Sequence, residues 1–175
     1  AGKARILELA LSDDDGSIQL FVPTGQSGLA SVEHRPAADD AGEYVTVQRR
    51  RLDDLDLSRT GFIKIDVEGH EASVVAGARV LLERDRPNLL IEVEDRHHPG
   101  SLDRIRSILE PLDYRGFFLL DGAMRPIAAF DQQSHQDRSA LNAAGTHRLP
   151  GRTYVNNFVF SAREDVVRRL ESWPG

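Results

Sequence analysis

Carboxylates and imidazoles gather in two short stretches of this chain. Asp66, Glu68, His70 and Glu71 form one, and Glu92, Glu94, His97 and His98 form the other. Asp66 and Glu68 flank the end of a mostly apolar, β-branched run over residues 62–67. Glu92 and Glu94 close a second apolar run over residues 89–93. An ionised group inside an apolar strand is costly unless it is paired, so Asp66 and Glu92 need partners. A binding site is one place to find them, and a solvated strand end is the other. A carboxylate desolvated at a strand end has its pKa raised toward neutrality, where it serves as a general base. His97 and His98 read either as a solvated loop or as proton acceptors near a substrate. Adjacent positions seldom give two good ligands to one metal ion without further carboxylates or histidines, and no metal site is expected.

The elements that would carry these groups follow from periodicity. Residues 62–67 read as a buried strand that stops at Glu68-Gly69. Val74, Val75, Ala78, Leu81 and Leu82 then recur at helical spacing, which predicts a helix over about residues 70–84 ended by Pro87 and Asn88. With residues 89–93 as the next strand, the unit is βαβ: two parallel strands joined by a right-handed crossover. In open parallel sheets ligands bind beyond the carboxyl ends of the strands, which is where both acidic pairs fall.

Lys64-Ile65-Asp66-Val67-Glu68-Gly69, with Glu71, Gly77-Ala78, Leu81-Leu82, Pro87 and Leu90-Ile91-Glu92, resembles the signature of the FkbM-type S-adenosylmethionine-dependent methyltransferases. The resemblance runs back through Val45, Val47 and Leu52-Asp53-Asp54-Leu55 to Ala10-Leu11-Ser12-Asp13 and Gly16. It runs forward to Asn157-Phe158. What it implies is an α/β, Rossmann-like methyltransferase fold: a mostly parallel sheet with an antiparallel last strand, binding S-adenosylmethionine above the strand ends. It implies O-methylation of a hydroxyl on a sugar or secondary metabolite, so that the partner is a small hydroxyl-bearing molecule. On this resemblance Asp66 is the general base or substrate anchor, with Glu92 and His97 as further catalytic candidates. Leu11, Ser12, Asp66 and Glu68 are the cofactor-binding candidates, Leu11 and Ser12 lying beside the adenine.

Relative to the family, the sequence begins where the third strand would begin, at residues 5–11. The family's opening strand, glycine-rich turn, helix and ribose-binding acid are not among these residues. The expectation is therefore a single domain over residues 1–175 equivalent to the C-terminal portion of a class I methyltransferase fold. A polypeptide of these residues alone is expected to bind the cofactor weakly or not at all, because each hydrogen bond forgone costs roughly 0.5–1.5 kcal/mol. The rival class is a non-catalytic interaction module that keeps its sheet without the cofactor loop, or completes it with another chain through an exposed edge.

The 175 residues are 40% hydrophobic and 29% charged, which suits one soluble domain with a sizeable core. A net charge of −6 argues against a nucleic-acid partner held by phosphate neutralisation. Arg49-Arg50-Arg51 is the one compact basic run and reads as a solvated strand end. Having no cysteine, the chain has no disulfide frame, thiol nucleophile or thiolate zinc site. No apolar stretch approaches a membrane span, and no membrane partner is expected. The cytoplasm is the default compartment, and a homo-oligomer is compatible with everything above.

Elsewhere, residues 5–11 alternate as a strand, with Leu7, Leu9 and Leu11 on one face. Asp13-Asp14-Asp15-Gly16 is expected to turn into a second strand over residues 18–22 as a hairpin connection. The triple aspartate fails the calcium-loop spacing, since position twelve from Asp13 is Thr24. Residues 23–42 read as an irregular excursion and 44–47 as a strand. Ser101 is placed as the cap of a helix carrying Leu102, Ile105, Ile108, Leu109 and Leu112. Residues 114–120 and 124–130 make a strand and its return. The polar stretch 131–152 reads as a lid, a substrate loop or disorder. Residues 154–160 form the last strand, followed by a helix opened by a Ser161–Glu164 capping box.

Overall fold

The computed structural model describes residues 4–25, 30–32 and 41–173. Two sheets organise them. The smaller contains β1 (Ala10–Leu11), β2 (Gly16–Pro23) and β3 (Gly42–Arg50). β3 lies in the middle, parallel to β1 and antiparallel to β2. The larger has the order β4-β5-β8-β6-β7, from β4 (Phe62–Ile65), β5 (Asn88–Glu92), β8 (Asn157–Ser161), β6 (Arg115–Leu120) and β7 (Ala123–Pro126). The helices are α1 (Glu71–Ala76), α2 (Arg79–Asp85), α3 (Ser101–Leu109), α4 (Gln132–His135) and α5 (Glu164–Glu171).

The βαβ unit forms as its periodicity predicts. β4 and β5 pair directly and in parallel, Phe62 against Asn88 through Ile65 against Ile91. The connecting helix is broken in two at Gly77-Ala78. A Cβ at Gly77 would run into the carbonyl oxygen of Ser12, so the chain bends where the β1 end presses against it. Asp53 then caps the second half: its carboxylate accepts the Val80 and Leu81 N–H groups at 3.0 and 2.8 Å, while its own N–H donates to the Gly77 carbonyl. These are donors that a helix start otherwise leaves unsatisfied. The predicted stripe is core: Val74, Val75, Ala78, Leu81 and Leu82 pack with Leu89, Ile91, Ile105, Leu109, Phe158 and Phe160, and all are nearly inaccessible.

The last strand is antiparallel, as expected, and it is inserted between β5 and β6 rather than placed at the edge. β4, β5 and β6 share one direction. The expectation of a mostly parallel sheet is corrected at the level of pairing, since β4–β5 is the parallel ladder and β5–β8, β8–β6 and β6–β7 are antiparallel. Inserting one reversed strand between two co-directional ones converts both of its ladders.

Other expectations also change. Residues 5–11 alternate, yet only Ala10 and Leu11 join a ladder, and Ile6 is 88% exposed. An apolar alternation becomes strand only where another edge meets it. The Asp-Gly turn does not make a hairpin, because β1 and β2 both pair with β3. Its aspartates instead hold the basic run, Asp14 to Arg49 and Asp15 to Arg50. Part of the stretch 23–42 lies outside the described residues. Gly100, with φ 76°, takes the cap position before α3, and Ser101 is the helix's first residue and fully buried. The Ser161–Glu164 box does not form. Ser161 ends β8 with its hydroxyl bonded to Asn88, Arg163 precedes α5, and Glu164 pairs with Arg115. Residues 131–152 are folded: α4, a 3-10 turn Arg138–Ala140 and a Leu141–Arg148 bridge organise them, with Ala140 and Leu141 buried. Among the described residues no helix is long and apolar enough to cross a membrane.

Candidate functional site at the carboxyl edge

Both acidic pairs arrive at one edge of the large sheet, because β4 and β5 are parallel neighbours and end together. The N-terminal approach to β8 arrives there too, since β8 runs the other way and sets Asn157 opposite Glu92. Lys64 stands between the strands. Its Nζ lies 3.2 Å from Asp66 Oδ2 and 3.3 Å from Glu92 Oε2, and it ties the two carboxylates together. Asn156 Nδ2 donates to the other Glu92 oxygen at 2.7 Å. Glu94 is held by Arg96, at 2.6 and 3.2 Å, and by the Tyr154 hydroxyl at 2.6 Å.

After Ile65 the chain turns sharply. Glu68 has φ 48° and Gly69 φ 104°. The Gly69 N–H donates to Glu71 Oε1 at 2.8 Å, and Ser31 Oγ donates to the Glu68 carbonyl oxygen at 2.8 Å. Glu71 is only 2% exposed and burial pushes its carboxyl up, against the backbone N–H groups it accepts. The Glu68 side chain meets His97, with Oε2 and Nε2 3.2 Å apart. Burial pushes Glu68 up to about 7, and the charges of Asp66, Glu94 and Glu92 add to it against Arg96. Glu92 is also raised, by burial and then by Asp66. For Glu94 burial acts upward, but the hydrogen bonds from Arg96 and Tyr154 outweigh it and the carboxyl is lowered.

The structure thus brings together Asp66, Glu68, Glu92 and His97. It separates the adjacent histidines: His97 faces Glu68, and His98 lines a cleft of about 410 Å3 between α1 and α3 with Asp13, Ser73 and Arg104. Ser12 is 1% exposed, its hydroxyl shared between Asp13 Oδ1 at 3.1 Å and His70 Nε2 at 3.0 Å, and Leu11 packs against the core. Lys64, Arg96, Tyr154 and Asn156 belong to the edge and were not among the sequence candidates. Lys64 sits on β4 two residues before Asp66, which follows the strand directly, and its Nζ reaches that carboxylate. Tyr154 and Asn156 carry no such signal, since their place depends on where β8 inserts. Among the described residues no group of three or more histidine, aspartate or glutamate side chains is placed to hold a metal ion.

Four carboxylates against Lys64 and Arg96 leave the edge negative. Of Leu11, Ser12, Asp66 and Glu68, the last two present carboxylates at this edge.

The protein is a mixed α/β one, with charged groups gathered beyond co-directional strand ends, the place where open parallel sheets bind their ligands. Residues 2–116, most of the chain, match the methyltransferase FkbM domain, and the chain belongs to that family. A crystal structure of methyltransferase FkbM from Methylobacillus flagellatus KT is similar at 19% identity and a TM-score of 0.46, over 89% of this chain and 28% of that one. The chain therefore spans 28% of that protein's length. No curated protein matches it.

Proposed function

We propose that the protein is an S-adenosylmethionine-dependent methyltransferase acting on a hydroxyl oxygen of a small molecule, a sugar or secondary metabolite. The observation that carries this reading is membership of the FkbM methyltransferase domain family over residues 2–116. The negative carboxyl edge agrees with it in charge. S-adenosylmethionine, when bound, supplies an electrophilic methyl group on a sulfonium. The chain's own part is to orient the acceptor and to hold charge near the reacting centre, and orientation alone accounts for much of such a barrier. Asp66 and Glu92, linked through Lys64, are suited to anchor acceptor hydroxyls, because each keeps a carboxylate at the edge and is 48% or 29% exposed at the side chain. Asp66 and Glu68 are the residues of the edge proposed to face the sulfonium.

The test is incubation of a chain that carries the family's glycine-rich cofactor segment ahead of these residues with methyl-labelled S-adenosylmethionine and a panel of monosaccharides, with product analysis for an acid-stable methyl ether. Transfer to one acceptor, reduced at least tenfold by Asp66→Asn, is the expected result. Failure to label any hydroxyl acceptor, or labelling of an amine only, would sink the O-methylation reading.

A further inference from the structure

Glu68 is the edge residue whose backbone is held in an uncommon conformation. A φ of 48° lies in the left-handed region, which disfavours a residue bearing a Cβ. Three contacts hold it: the Gly69 turn, the buried Glu71 carboxylate on the Gly69 N–H, and the Ser31 hydroxyl on the Glu68 carbonyl. Fixed in this way, Glu68 Oε2 lies 3.2 Å from His97 Nε2; the Glu68 side chain is 23% exposed, and the His97 nitrogen that faces it is buried behind it. Asp66 and Glu92 differ, because each already faces the Lys64 ammonium.

We infer that Glu68 and His97 form the acid–base couple that accepts the proton of the acceptor hydroxyl during methyl transfer. This deepens the methyltransferase reading and rests on it. The acceptor oxygen forms its bond to the methyl carbon as the carbon–sulfur bond breaks, and that bonding pair stays on sulfur as a thioether. The hydroxyl proton passes to the couple and from there to water. Among the described residues, the charged groups that face Glu68 are Asp66 from the end of β4, Glu92 and Glu94 from the end of β5, and Arg96 from the following loop. His97 faces Glu94 as well as Glu68. Lys64 meets Asp66 and Glu92, Tyr154 meets Glu94, and on α1 Glu71 is turned toward the Gly69 N–H. Burial and the three carboxylates hold Glu68 near neutrality, a range suited to a general base.

Side-chain NMR titration of the ligand-free protein reads the couple without turnover. The Glu68 carboxyl should titrate near 7 in the wild type, well above the ordinary carboxylate range, with the inflection absent from Glu68→Gln. A Glu68 carboxyl that titrates in the ordinary range would overturn the proposal. Kinetics with methyl-labelled S-adenosylmethionine and monosaccharide acceptors give the second readout. The wild-type rate should rise with an inflection near neutrality. Glu68→Gln should lose that limb and slow at least tenfold in kcat. If Glu68→Gln does not fold, His97→Asn carries the same test, and a limb intact in either folded variant would overturn the base role. A wild type that methylates no hydroxyl acceptor removes the methyltransferase reading and the base role together, whereas an intact limb removes the base role alone.

Discussion

Among the four edge carboxylates, partners decide behaviour more than position does. Glu92 ends β5 and Glu94 lies two residues beyond it, yet burial raises the first while Arg96 and Tyr154 pull the second down. For Glu68 the shift has a stability consequence with a definite sign. Between its ordinary pKa of 4.5 and about 7 the unfolded chain ionises this carboxyl while the native state keeps it protonated. The native state then binds more protons, so this group's contribution makes stability fall as pH rises through that window. Glu68→Gln should therefore be stabilised by about 1–2 kcal/mol at pH 8, after discount for the solvent that reaches it, and hardly at all at pH 4. Equal melting shifts at the two pH values would contradict the assignment. Gly77 is a residue whose identity is dictated by its surroundings. Gly77→Ala forces a methyl into the Ser12 carbonyl and should cost about 1–3 kcal/mol or more. Gly61→Ala, where nothing lies within 4 Å of the added methyl, should be close to neutral.

At the scale of elements, the break between α1 and α2 shows how a distant residue shapes a local one. Periodicity alone supports one continuous helix, and the apolar stripe does continue across the break. Asp53 replaces the helical bonds lost there, from a turn 27 and 28 residues upstream of the two N–H groups that donate to it. Asp53→Ala should cost about 0.5–2 kcal/mol, the range for a lost cap. Leu81→Ala, at 2% exposure, should cost about 2–5 kcal/mol. Urea unfolding of both variants checks the pair: a Leu81→Ala protein as stable as the wild type would mean the stripe faces elsewhere. β8 has the larger effect on the site. By entering between β5 and β6 it delivers Tyr154 and Asn156 to Glu94 and Glu92.

Across the molecule, residues 131–152 are tied to the carboxyl edge by Gln132 on Asp95, by Arg96 on the Gly145 carbonyl, by the Val155 N–H on the His135 carbonyl and by Gln136. Gln136 donates to the carbonyls of Val93 and Val155, at 2.7 and 2.9 Å, and accepts from the Asp95 N–H at 3.1 Å. It thereby joins the end of β5, the approach to β8 and α4. Gln136→Leu keeps similar bulk but abandons all three backbone groups, and should destabilise by about 2–3 kcal/mol, since each buried group left unsatisfied costs roughly 1–3. Amide exchange should rise at Asp95 first. Unchanged exchange there would show that the segment is held by other contacts. The βαβ unit, its core stripe and the placing of Asp66, Glu68, Glu92 and Glu94 at strand ends were legible in the sequence, because each depends on side-chain periodicity within a few turns or residues. The pairing of Glu68 with His97, the sharing of Lys64 and the arrival of Tyr154 and Asn156 were not. Those contacts join strands far apart in the chain, and no local pattern records which edge a reversed strand enters or which way a turn with positive φ aims its side chain. Residues 5–11 make the same point in reverse: they alternate like a strand, and only the presence of β3 beside Ala10 and Leu11 decides how much of them becomes one.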